Sequence, residues 1–328
     1  PPQRRIATTY SEHLIEIEPM RTTLKVFTWG TSLAVVAWLL ASFIWGPKLA
    51  VQMAANPVTS SPADVGVAYQ NVRVSSDGLE LEGWWMPAEN PKGVVLFVHG
   101  AGSNRTSWFL PSLEFYQMLV GLDLSVISID LRNHGNSPKT DGELGMGAKE
   151  WPDLIAVSHW VDAQGYSELP KIGVSLSMGG ATTIYAVHEG LALDAAVLID
   201  PLLNTTDALM QGGWVAFGLP PGLFAPMAWS ATRMGELPYG ALDAGILAES
   251  MTIPTLLIQD PDDPITRLPF AQKLASANSN IALVIAPAVT TNHACINAKG
   301  RWGTHVAAFK CHESWTVEQL SEFLSQNL

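Results

Sequence analysis

Residues Lys171–Gly180 read KIGVSLSMGG. Lys171–Val174 has the apolar character of a strand covered on both faces, and a helical pattern runs over Met178–His188. Only Ser175, Leu176 and Ser177 lie between them, so strand must pass into helix through a sharp turn. Such an elbow needs small residues two before and two after its apex, because the turning backbone packs against its neighbours. With Ser177 at the apex those residues are Ser175 and Gly179, and Gly180 adds clearance. A register with Ser175 at the apex lacks a small run opening the helix.

Working outward, the same alternation recurs. Residues 69–74 and 79–85 read as two strands joined at Ser75-Ser76-Asp77-Gly78, a hairpin turn. Apolar runs follow at 93–98, 124–129, 195–199, 255–258 and 281–285, and helical patterns fall between most of them, as at 151–163. This predicts an α/β domain with a mainly parallel sheet and helices on both faces. Active sites in such sheets form at the carboxyl ends of strands. His99-Gly100-Ala101-Gly102 follows the run ending at Val98, and Gln259-Asp260-Pro261-Asp262-Asp263-Pro264-Ile265 follows Ile258. Beyond the last run stand His293 and, after Gly303-Thr304, His305.

The strings HGAG at 99–102 and SMGG at 177–180, with Ser, Asp and His in that chain order, resemble the α/β-hydrolase superfamily. The similarity is greatest to monoacylglycerol-lipase-like and lysophospholipase-like serine hydrolases, and it covers residues ~69–328. It implies the α/β-hydrolase fold and a catalytic triad of Ser177, Asp263 and His305. A serine hydroxyl needs a base to take its proton, and the base needs a carboxylate to fix its tautomer. His293 is the alternative base, and Asp262 the alternative acid. The resemblance assigns the oxyanion hole to the backbone N–H groups of Ala101 and Met178. Asp130-Leu131-Arg132-Asn133-His134-Gly135-Asn136-Ser137 also matches a loop common in the family, and its polar residues are expected to brace the site. Ser175, Gln259-Asp260 and Thr304 depart from the family pattern. They motivate a competing reading, a binding protein that keeps the fold without the activity.

The segment Val26–Pro47, VFTWGTSLAVVAWLLASFIWGP, carries no charge and has Trp29 and Trp45 near its ends. As a helix at ~1.5 Å per residue it suffices for a ~30 Å hydrocarbon core, with a cleaved signal peptide and a buried core helix as the alternative readings. The expected organisation is a cytoplasmic tail at 1–25, a transmembrane helix at 26–47, a linker at 48–66 and a hydrolase domain at 67–328. Arg4, Arg5, Arg21 and Lys25 precede the span and only Lys48 closely follows it, which keeps the N-terminus cytoplasmic and puts the domain on the periplasmic, lumenal or extracellular side. A cap insertion is expected at about 201–250. Its stretch MQGGWVAFGLPPGLFAPMAW at 210–229 is apolar, which suits a hydrophobic acyl substrate, and contact with the bilayer is a further possibility it raises.

Cys295 and Cys311, 16 residues apart and flanking His305, are expected to form a disulfide in an oxidising compartment. Asn104-Arg105-Thr106 and Asn204-Thr205-Thr206 are glycosylation sequons. The last helix is expected to open at Thr316, with Gln319 completing a capping box. The net charge of −12 leaves no basic footprint for nucleic acid. No metal motif occurs among the eight histidines and no cofactor is expected. Gly100-x-Gly102 lacks the third glycine of a dinucleotide loop, where Arg105 stands. The sequence therefore points to a membrane-anchored serine esterase or lipase, acting on a carboxylic ester or thioester through an acyl-enzyme. An amide or peptide hydrolase is the variant on the same triad.

Overall fold

The computed structural model describes residues 17–52, 56–107, 109–290, 293–296 and 301–328, with side chains from Lys25 onward. Residues 1–16 of the expected tail lie outside it. Helix α1 spans Ile17–Ile44, and α2, Gly46–Val51, follows after a break at Trp45. Pro47 sits in the first turn of α2, where its missing N–H costs nothing and where it cannot continue α1. The unbroken apolar helix thus ends at Ile44 rather than at residue 47. The segment read as a linker is partly helical, since α2 occupies its start and a 3₁₀ turn lies at Pro62–Val65. Lys25–Ile44 is long and apolar enough to cross a membrane, the one such helix among the described residues.

The sheet has eight strands: β1 (Gln70–Ser76), β2 (Leu79–Met86), β3 (Gly93–Val98), β4 (Leu124–Ile129), β5 (Lys171–Leu176), β6 (Ala195–Ile199), β7 (Thr255–Gln259) and β8 (Ile281–Ile285). Their order is β1-β2-β4-β3-β5-β6-β7-β8. β1 and β2 pair antiparallel, as do β2 and β4, and every later pairing is parallel. Asp77 and Gly78 turn the hairpin with φ of 49° and 79°. Left-handed values at both central residues match the twist of the flanking strands, and Asp-Gly adopts them at low cost.

β3, β4, β6 and β7 are buried along their whole length, as continuous apolar runs require in a sheet covered on both sides. One face packs on α3 (Ser112–Gly121) and the C-terminal helical segment 308–327 through Phe115, Leu119, Phe309 and Leu320. The other packs on α4 (Trp151–Val161), α5 (Met178–His188) and a later helix through Leu154, Val157, Ile184 and Leu274. Between β6 and β7 the chain forms an insert, chiefly α6 (Thr205–Phe217) and α7 (Ala225–Arg233). A four-residue helical turn at Ala244–Leu247 closes the insert, and α8 (Leu268–Ala277), α9 (Ala308–Cys311) and α10 (Glu313–Asn327) follow.

The start of α10 corrects the capping-box expectation. Its helix opens at Glu313, directly after α9, so Thr316 lies inside the first turn with its N–H bonded to the His312 carbonyl at 2.8 Å. The side chain that was to cap the helix is buried without a hydrogen-bond partner.

Candidate active site

β5 delivers Ser177 at its carboxyl end and α5 begins at the next residue. Ser177 has φ 51° and ψ −117°, a conformation that non-glycine residues avoid. The strain is held by packing. Ser177 N–H donates to the Ile199 carbonyl at 3.0 Å, and Gly180 N–H donates to the Ser177 carbonyl at 2.9 Å. Gly179 is fixed by close approach: a Cβ there would stand 2.4 Å from the Val98 carbonyl oxygen. Ser175, where the family has glycine, fits because its hydroxyl turns into the core and shares a 2.5 Å hydrogen bond with Thr183 Oγ1.

His305 reaches the elbow from the loop before α9. The Ser177 hydroxyl donates to His305 Nε2 at 3.0 Å, and His305 Nδ1 donates to Asp263 Oδ2 at 2.6 Å. A carboxylate only accepts, so this pairing sets the tautomer and leaves Nε2 free to receive a proton. The Asp263 carboxylate is itself immobilised. Ile265 N–H at 2.7 Å and Thr266 N–H at 2.9 Å donate to Oδ1, and the Thr266 hydroxyl donates to Oδ2 at 2.7 Å. All three polar side chains are buried. The rings of Phe109 and Trp302 pack against the imidazole, with centroids 5.4 and 5.8 Å away.

The alternative residues lie elsewhere. Asp262 is exposed, and its N–H donates to Asp260 Oδ1 at 2.8 Å. His293 is exposed, with Nδ1 2.8 Å from Cys295 Sγ. Cys295 and Cys311 are joined in a disulfide, so their sulfurs offer no thiolate to a metal beside His293.

The departures from the family pattern each have a partner. The Thr304 hydroxyl donates to Asp260 Oδ1 at 2.5 Å, which pins the residue preceding His305. Gln259 Nε2 donates to Asp200 Oδ1 at 2.9 Å and to the Thr266 carbonyl at 2.7 Å. Asp200 is the participant the sequence reading missed. It follows β6 with φ 44°, is fully buried, and also accepts from Asp260 N–H at 2.7 Å and Val306 N–H at 2.8 Å. One carboxylate thereby ties the acid loop to the histidine loop. Burial, with the neighbouring Asp263 charge, pushes its pKa well above the ordinary carboxylate range. The available signal was its place at the carboxyl end of a parallel strand, in Ile199-Asp200-Pro201.

On the other side of the elbow, Gly100 lies so near that a Cβ would meet Ser177 Cβ at 3.2 Å. The backbone of Ala101 therefore lies beside the serine, and Met178 N–H opens the positive end of the α5 dipole. The His99 ring holds this loop, donating from Nδ1 to the Gly100 carbonyl at 2.9 Å and accepting from Leu131 N–H at 3.1 Å. Burial lowers its pKa to about 4. The segment 130–137 braces the loop as expected: Asp130 accepts from Arg105 N–H and Asn136 N–H, each at 2.8 Å.

The serine and histidine open into an apolar cavity of about 670 Å³. Its roof is the insert, through Leu209, Gly213, Phe217, Leu223 and Met227. Neither sequon presents a free amide. Asn104 Nδ2 donates to the Asn56 carbonyl at 2.9 Å, and Asn204 caps α6 by accepting from Asp207 N–H at 2.8 Å while its amide donates to Asp243.

A model of the alpha/beta hydrolase family matches residues 95–308, from β3 through the histidine loop. The chain belongs to the alpha/beta hydrolase family. This family member is 28% identical to human monoglyceride lipase over 219 residues, which is 62% of this chain and 65% of the relative. It is 29% identical over 182 residues to an uncharacterized protein of Mycobacterium tuberculosis, 53% of this chain and 60% of that one. The chain thus spans somewhat less than two thirds of these relatives. Among solved structures it is similar to a Pyrococcus furiosus esterase, with a TM-score of 0.67 and 20% identity, covering 84% of this chain and 97% of that one. At that identity the likeness is one of fold.

Proposed function

We propose that this α/β hydrolase is a membrane-anchored serine esterase that cleaves a carboxylic ester or thioester of an apolar acyl group. The observation that carries the reading is the unbroken hydrogen-bonded line from Ser177 through His305 to Asp263, opening into an apolar cavity. His305 Nε2 takes the hydroxyl proton as Ser177 Oγ attacks the acyl carbon. Asp263 stabilises the imidazolium, and the Ala101 and Met178 N–H groups receive the oxyanion. The imidazolium then protonates the leaving alcohol or thiol, and water, activated by the same ring, releases the acid from Ser177.

Lys25–Ile44 is the anchor in this proposal, with the N-terminal side cytoplasmic and the hydrolase domain across the membrane. The Cys295–Cys311 disulfide supports that orientation, since such bonds persist on oxidising sides of membranes. A fluorophosphonate probe tests the chemistry. Wild type is expected to take the label, and Ser177→Ala to lose both label and ester hydrolysis, the latter by about 10⁶-fold. Undiminished labelling of Ser177→Ala would overturn the assignment.

A further inference from the structure

The cavity over Ser177 has a wall that the insert does not supply. Trp38, Ala41 and Ser42 of α1 line it together with Gly46, Leu49 and Ala50 of α2. These residues are docked on the domain rather than tethered beside it. Gly46 lets α2 lie against α7 so closely that a Cβ would meet Met227 Cγ and Ser230 Oγ, each at 2.9 Å. The Ser230 hydroxyl donates to the Ser42 carbonyl at 2.7 Å, and the Phe43 and Trp229 rings meet at 5.7 Å.

The chain leaving α2 is docked as well. Leu144 N–H donates to the Val51 carbonyl at 2.9 Å, and Asn56 Nδ2 donates to the Gly102 carbonyl, in the loop that carries Ala101. The segment after the apolar helix therefore touches both the pocket and the proposed oxyanion loop.

The two ends of α1 differ in what they face. From Val26 to Val36 the helix is bare and largely apolar, with Trp29 77% and Leu33 71% exposed. Toward its C-terminal end the same helix becomes pocket wall. The rim between them is also apolar. Phe217 and Leu223 line the cavity and are still 67% and 45% exposed, and exposed Trp229 sits against Phe43. Apolar surface is thus continuous from the bilayer-length helix, across the rim, to Ser177. In water such a surface is costly; against hydrocarbon it is not.

We infer that the C-terminal end of the anchor helix is a specificity-determining wall of the acyl site. The substrate is a long-chain acyl ester resident in the bilayer, and its chain passes to Ser177 along Trp38 and Ala41. The inference rests on the serine-esterase reading above. It makes acyl selection a property of the anchor as much as of the insert, because the bulk at positions 38 and 41 sets how much chain the cavity holds.

The test uses the full chain in phosphatidylcholine proteoliposomes, with p-nitrophenyl esters from butyrate to palmitate. The readout is the ratio of kcat/KM for palmitate to that for butyrate. Ala41→Phe fills the wall and is expected to lower the ratio about tenfold, the scale set by excluding methylenes from a fitted pocket. Trp38→Ala opens the wall and is expected to raise it. Leu33→Phe, on the exposed part of the same helix, should leave it at the wild-type value. If Ala41→Phe fails to fold, Trp38→Ala decides alone. Unmoved ratios in a wild type and variants that all take the fluorophosphonate label would overturn this inference and leave the esterase reading intact. A wild type that takes no label would bring down both.

Discussion

The floor and the roof of this site are built on different physics. The floor is polar, buried and fully bonded: Ser177, His305, Asp263, Asp200, Asp260 and Thr304 are held by directional hydrogen bonds of 2.5–3.0 Å. The roof and outer wall are apolar side chains from the insert and from α1 and α2, with few directional bonds among them. A buried polar group without its partner costs ~1–3 kcal/mol, so the floor has one arrangement. Apolar contacts are non-directional, so the roof tolerates exchange and can be tuned. In the proposed reading, bond-breaking chemistry belongs to the part that cannot vary, and choice of acyl chain to the part that can.

The largest break in that contrast comes from the floor. Asp263→Asn keeps the shape but loses control of the His305 tautomer, and kcat is expected to fall about 10⁴-fold. The fall should be the same for butyrate and palmitate esters, measured by steady-state kinetics. A loss confined to long chains would mean that the floor also selects.

A smaller effect reads out the bracing beneath the proposed oxyanion loop. The His99 and His134 rings lie 4.8 Å apart. Burial lowers His99 to about 4, and burial with the neighbouring His99 lowers His134 to about 3. In the unfolded chain both protonate near ~6.5. Between that pH and about 4 the unfolded state binds more protons, so this pair withdraws stability as pH falls. Buried Asp130 and Asp200 have raised pKa values and act in the opposite sense. His134→Gln should therefore lose roughly 3 kcal/mol less than wild type between pH 7 and pH 4, read from urea unfolding curves. Equal losses would show the ring to be protonated in the fold.

The smallest effect belongs to the roof. Leu223→Ala removes a half-exposed apolar contact and is expected to lower the palmitate-to-butyrate ratio by about fivefold, near 1 kcal/mol. A uniform loss on both esters would erase the distinction between floor and roof.

Much of the floor was legible because the elbow imposes rules on sequence. Small residues at 175 and 179 around Ser177, and polar residues after the strand ends, are local requirements of a sharp strand-to-helix turn. Ser175, Gln259 and Thr304 read as departures because their partners Thr183, Asp200 and Asp260 are distant in the chain or look like ordinary loop residues. Asp200 was passed over for the same reason, since its three donors, Gln259, Asp260 and Val306, lie far along the chain. At the terminal helix a local pattern misled. Thr316 and Gln319 satisfy a capping signature, but α9 runs into α10 at His312 and places the helix start earlier.

The sequence by itself determined the strand-and-helix alternation, the apex at Ser177 and the apolar span, because each depends on neighbours within a few residues. Only the tertiary structure decided which acid and which histidine meet the serine, where Asp200 acts, and that the end of the span forms a wall of the pocket. Those outcomes depend on pairs of residues far apart in the chain. Proximity of that kind is created by packing, and no local pattern encodes it.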